Sequence, residues 1–181
     1  MAHLTGSIGY PQATSEVVSY SSTVQAKIAL GTRARDAQGN EYIYLDFDAA
    51  KAVGEIVTWD TAFLATATGA TTTGFIGVVC GEAATSDLAG WVQIYGVNTA
   101  VLGSSTLTSG WLQVAATTDG YSVPILGTAS TGVLYRIEGM NAATSASTAT
   151  SPGYASTASS ILGVFTAILN YPYVMPDVAT S

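Results

Sequence analysis

Side chains able to do chemistry are few in this chain: one histidine, His3, and one cysteine, Cys80, in 181 residues. Catalysis by a Ser-His-Asp constellation needs a histidine held rigidly against the nucleophile, and His3 stands in a terminal segment with nothing in the sequence to hold it. A zinc site takes three or four His, Cys or carboxylate ligands, which His3 and Cys80 do not supply. Cys80, between Val79 and Gly81 at the end of an apolar run, reads as a small buried hydrophobe, because no base accompanies it to make a thiolate. Asp46 and Asp48 lie two apart on one strand face, and with Glu55 or Asp60 they form the best candidate for a carboxylate pair or a calcium site. Acids that keep a strand end solvated are the simpler reading. Residues 36–41 lack the alternating ligands of a calcium loop, and Gly74-Phe75-Ile76-Gly77 is not followed by the Gly-Lys-Ser/Thr of a phosphate loop. Trp91 and Trp111 with Tyr95 would make an aromatic platform for sugars, though aromatics on alternating strands more often fill gaps in a core. The expectation is a protein with no catalytic residues, no metal and no cofactor.

The rest of the composition points the same way. Ala, Gly, Ser and Thr supply 90 of the 181 residues, and charged residues only 9%, against roughly 25% in a typical soluble domain. A net charge of −7 with five Lys and Arg opposes binding to nucleic acid or to an anionic membrane, which needs clustered cations. A single cysteine allows no internal disulfide, the start Met-Ala-His-Leu-Thr-Gly lacks the blocks of a signal peptide, and the longest apolar run, 161–169, is half a bilayer span. Folding in a reducing cytoplasm is expected.

Short segments rich in Val, Ile, Thr and Tyr recur between Gly, Asp and Asn, the pattern of an all-β domain: a compact β-barrel or sandwich with little helix. Residues 1–20 read as an extended N-terminal arm, 21–181 as one domain, and 140–160, nearly pure Ala, Ser and Thr, as a long surface loop. The clearest unit spans 27–47 around Asp36-Ala37-Gln38-Gly39, a type I turn. With Asp36 facing Gly39, Ile28 faces Phe47, Leu30 faces Leu45 and Thr32 faces Ile43, leaving Arg33, Arg35, Tyr42 and Tyr44 together on the opposite face. Strands are expected at 56–59, 74–80, 90–95, 99–102, 110–114, 121–126 and 132–138. In 90–95, Val92 and Ile94 would point inward. The chain closes through 161–169 and an edge-type strand at 170–174, since Pro172 is barred from a central ladder.

Edges of isolated β domains are usually guarded by Lys, Pro and charge, and two lysines in the whole chain leave these edges to be covered by something else. A neutral surface of small side chains suits packing against copies of itself or a large neighbour.

The succession Leu30-Gly31-Thr32-Arg33-Ala34-Arg35-Asp36 with Gly39-Asn40-Glu41-Tyr42-Ile43-Tyr44, then Val53-Gly54-Glu55-Ile56-Val57-Thr58-Trp59, Gly74-Phe75-Ile76-Gly77-Val78-Val79 and Gly90-Trp91-Val92-Gln93-Ile94-Tyr95-Gly96, resembles small capsid decoration, or head-stabilising, proteins of tailed bacteriophages. The resemblance covers about residues 27–96 and extends weakly through 161–174. It implies a compact β domain without catalysis, made in the host cytoplasm and assembled, commonly as a homotrimer, on the outside of a capsid whose major capsid protein is its partner. Capsid contacts are then expected from the arm, at Leu4, Ile8 and Tyr10, and from the hairpin, at Arg33, Arg35, Tyr42 and Tyr44. Residues 141–160 depart from that compact pattern, which keeps a carbohydrate- or receptor-binding knob of a phage fibre as the alternative.

Overall fold

The computed structural model describes residues 3–5, 12–15, 17–19, 28–69, 72–83, 88–104, 110–114, 122–124, 134–142, 147–148 and 162–177. Among the described residues there is no helix. The strands are β1 (His3–Thr5), β2 (Gln12–Ala13), β3 (Val17–Ser19), β4 (Arg33–Asp36), β5 (Glu41–Phe47), β6 (Ile56–Trp59), β7 (Leu64–Ala67), β8 (Gly74–Val79), β9 (Leu88–Ser104), β10 (Gly110–Val114), β11 (Ser122–Pro124), β12 (Leu134–Ala142), β13 (Ser147–Thr148) and β14 (Leu162–Asp177). The all-β expectation holds.

Five strands close a ring. β9 pairs β5 and β8, β8 pairs β6, β6 pairs β7, and β7 returns to β5 in parallel. Alternate residues of a closed ring point to its axis, and these are Ile43, Leu45 and Phe47 from β5, Val57, Ala65, Val79, and Val92 and Ile94 from β9, all buried together. Each large member contributes about 1.5–3 kcal/mol by leaving water. The inward reading of Val92 and Ile94 is correct. β9 then runs past this ring, where β14, β12, β10 and β11 complete a second one back to β9. Val101, Ile137, Met140, Phe165, Ala167 and Leu169 fill the space between it and the outer faces of β6 and β8.

The hairpin register differs by one residue from the expected one. Arg33 lies opposite Ile43, Ala34 opposite Tyr42 and Arg35 opposite Glu41, and Asp36 pairs with Asn40. Gly39, at φ 86°, explains it: the turn is a three-residue loop whose last residue is left-handed, which adds a bulge and slips the register. The slip moves Arg33 and Arg35 to the face opposite Tyr42 and Tyr44. Those two tyrosines are buried with Ala89 and Trp91, sealed by Ile28, Leu30 and Ala34. So β5 is covered on both faces.

The C-terminal strand is also a correction. β14 is central, with β12 on one side and first β9, then β8, on the other. Pro172 is tolerated because it falls in the gap between ladders: pairing with β9 ends at Asn170 and pairing with β8 begins at Tyr173. Tyr171, at φ 48°, is the extra residue of this irregularity. It shifts the alternation by one, so that Leu169 before it and Val174 after it enter the same core.

β7 was not expected, because Leu64-Ala65-Thr66-Ala67 has little bulk to mark it. The described pieces of the N-terminal arm are paired, β1 with β2 and β4 and β3 with β9, rather than detached from the sheet. Of the expected 140–160 loop, residues 140–142 extend β12 and Ser147–Thr148 pairs β14; the remainder lies outside the described residues.

Candidate functional site

The hairpin turn is built on Asp36. Its buried carboxylate accepts bonds from the Gln38 and Asn40 backbone N–H groups at 2.9 Å, from Asn40 Nδ2 at 2.8 Å and from the Tyr42 hydroxyl at 2.9 Å. Burial pushes this carboxyl up, but the four donors outweigh it and hold it below its ordinary value. Tyr42, buried and donating to Asp36, is pushed well above the ordinary phenol range. This network locks the turn and thereby aims Arg33 and Arg35.

From the same turn, Asn40 Oδ1 accepts the Val97 N–H at 3.1 Å, where β9 kinks at Gly96, φ 97°. A Cβ at Gly96 would lie 2.0 Å from Asn40 Oδ1, so only glycine fits there. Buried Gln93 bonds the carbonyls of Tyr95 and Val97 across the kink. The kink turns both side chains outward, Tyr95 38% and Val97 53% exposed.

These elements bring together residues far apart in sequence. Arg35 pairs with Glu41, and the Tyr171 hydroxyl donates to the second Glu41 oxygen at 2.6 Å. The Tyr171 bond, then the Arg35 bond, holds Glu41 below its ordinary value; the Glu41 bond in turn raises Arg35 and Tyr171. The Tyr171 ring also lies 5.2 Å from that of Tyr95. Beside this group opens a cleft of about 310 Å³. It is lined by Arg33, by the aromatic side chains of Trp59, Phe75 and Tyr171, by Pro172 and by the buried Ile76 and Ile94.

Along the outer face of β14 runs a second surface. Val97 lies beside Ile168, and Phe75 beside Tyr173. Phe75, Val97, Ile168, Tyr173 and Met175 are all exposed large hydrophobics; β8, β9 and β14 carry no charged residue between 74 and 176, while β12 sets Glu138 opposite Tyr173 and Arg136 opposite Met175.

The sequence candidates divide accordingly. Arg33 and Arg35 are exposed on the surface; Tyr42 and Tyr44, 3% and 0% exposed, are core residues and form no contact surface. Leu4 lies in β1, paired across from Asp36; Ile8 and Tyr10 lie outside the described residues. Trp91 is fully buried against Tyr44, ring centroids 5.0 Å apart, so a sugar platform of Trp91 with Tyr95 does not form and the packing reading holds. Trp111 lies in β10.

The acids are dispersed into local work. Asp48 pairs with buried Lys51 at 2.6 Å, Glu55 accepts the Ala52 N–H, and Asp60 accepts the N–H groups of Ala62 and Leu64. Among the described residues no three His, Cys, Asp or Glu side chains stand close enough to hold a metal ion. Burial pushes the Cys80 thiol up to about 12, which makes it a poor nucleophile at neutral pH. Trp59, Phe75 and Tyr171 were not foreseen as neighbours of Arg33, because nothing in the sequence shows that strands so far apart along the chain meet at one cleft.

Comparison of the chain with family models, with curated proteins and with solved structures found no match.

Proposed function

We propose that this chain is a structural, non-catalytic protein that docks as a homo-oligomer on the outside of an assembled tailed-phage capsid and stabilises its lattice, with the major capsid protein as partner. The observation that supports this is the outer face of β14, β8 and β9, where Phe75, Val97, Ile168, Tyr173 and Met175 stand in water, bordered by Glu138 and Arg136 of β12 opposite Tyr173 and Met175. Apolar groups adjoining in this way gain about 25 cal/mol per Å² when covered, and contiguous patches of them mark interaction surfaces. Covering the part formed by β8, β9 and β14 desolvates no charge, and Glu138 and Arg136 fall at its β12 border. Contacts repeated over many copies add up through avidity, and binding only to the assembled state stabilises that state. Arg33 and Arg35 are exposed, Arg35 in its pair with Glu41, while the expected contribution of Tyr42 and Tyr44 is withdrawn. The test is co-sedimentation of the protein with bare heads of the phage that encodes it, followed by heating of decorated and undecorated heads. Saturable decoration with added heat resistance supports the reading; protein left in the supernatant at micromolar concentrations refutes it.

A second reading, a carbohydrate-binding knob, is favoured by one specific feature. The cleft beside Tyr171 has the aromatic walls and open mouth that suit a sugar ring.

A further inference from the structure

The charge distribution around that cleft is uneven. The chain carries −7 overall, and its described cations are mostly spoken for: Lys51 is buried against Asp48, and Arg35 is bonded to Glu41. The Arg33 guanidinium differs. It is exposed and lines the cleft, and it acts on Glu41 and Tyr171 through its charge without a contact ion pair among the described residues. Its five N–H donors form a planar fork that matches a carboxylate. The backbone that holds it is fixed by the Arg33–Ile43 pairing and by the Asp36-locked turn.

The cleft itself is small and open. Its volume, about 310 Å³, is at the low end of the roughly 300–1,000 Å³ of small-molecule sites, enough for one or two sugar rings and too little for a helix. Trp59, Phe75 and Tyr171 offer flat apolar faces, and Ile76 and Ile94 a dry floor. A ligand there needs one apolar ring face to lie on these walls, polar edges that stay in water at the open side, and an anionic group for Arg33. An aromatic acid meets the first and last requirements but leaves its second apolar face in solvent. A pyranose bearing a carboxylate meets all three.

We propose that this cleft binds an acidic sugar, a hexuronic acid unit, with the ring on the Trp59, Phe75 and Tyr171 walls and the carboxylate on Arg33. The inference rests on the sugar-binding reading and adds the charge requirement. The experiment titrates the full chain with methyl glucuronide and with its neutral twin, methyl glucoside, and follows binding by NMR shift perturbation, with sodium acetate as competitor. The glucuronide should bind about tenfold more tightly than the glucoside, the effect of one exposed charge-assisted contact. Arg33→Gln should remove that preference, so that the variant binds the glucuronide no more tightly than the glucoside. Phe75→Ala, at a side chain 63% exposed whose loss leaves the core intact, should weaken both sugars with an unaltered melting curve. Equal binding of the two sugars by the parent, an undiminished preference in Arg33→Gln, or displacement of the glucuronide by equimolar acetate would overturn the acidic-sugar assignment while the sugar-binding reading stands. Binding of neither sugar at tens of millimolar would overturn both.

Discussion

Tyr42, Tyr44 and Trp91 form one aromatic group on the outside of the first ring; Phe75, Tyr95, Tyr171 and Tyr173 form another on β8, β9 and β14. The first is covered by the chain's own residues, Ile28, Leu30 and Ala34, and its members are at most 3% exposed. The second has no such cover, and its members stay 38–63% exposed. Residue type is therefore a poor guide to role. What separates core from contact surface is whether another part of the chain reaches back to close the face, and in the second group none of the described residues does.

Substitutions in the two groups should differ accordingly. Trp91→Ala leaves a cavity inside a closed cluster and should cost about 3–5 kcal/mol, read from denaturant midpoints at constant m. Tyr95→Ala, in the open group, should cost no more than about 1 kcal/mol, the scale of an exposed aromatic pair. Equal losses would erase the distinction.

Asp36→Asn comes next, because it removes a charged acceptor beneath the covered group and leaves the Tyr42 hydroxyl and Asn40 amide poorly matched; a loss of about 1–3 kcal/mol at pH 7 is expected. Its pH dependence carries a sign. The folded Asp36 carboxyl titrates below its ordinary value, so its stabilisation is complete above the unfolded value of about 3.9 and is lost as pH falls through the folded one. The parent's melting temperature should therefore drop more steeply in acid than that of Asp36→Asn. Parallel profiles would remove Asp36 from the account.

Much of this arrangement was legible from residue pattern. The strand at Ile56–Trp59 and the inward Val92 and Ile94 follow from alternation and apolar runs, and Cys80 at the end of its run is partly buried. The hairpin register was not legible, since one left-handed glycine, Gly39, slips it, and the four-residue turn that the Asp and Gly positions suggest gives the opposite facing. Nor was the closure over Tyr42 and Tyr44, because alternation shows which residues share a face but not whether the face is covered. Pro172 pointed to an edge; only the change of partner from β9 to β8 shows how a central strand accommodates it. Of the candidate site, Arg33 and Arg35 were found from charge alone, whereas Tyr171 reaches Glu41 across 130 positions, a contact that exists only after both rings of strands have formed.

The smallest effect is expected from Tyr171→Phe. It removes an exposed hydrogen bond to Glu41 and should change stability by under about 1 kcal/mol, while the Glu41 carboxyl, deprived of its first donor, should titrate higher by NMR. An unmoved Glu41 would show that the bond is not kept in solution.

The central claim, that the apolar outer face of β14 is the docking surface, is tested most directly by titrating the parent and a Val97→Asp, Ile168→Asp double variant onto bare phage heads. Both side chains are at least half exposed, 53% and 50%, so the variant should keep the parent's melting curve. Two buried carboxylates at an apolar contact should then weaken decoration by at least a hundredfold. Decoration as tight as the parent's, by a variant that folds normally, would contradict the account.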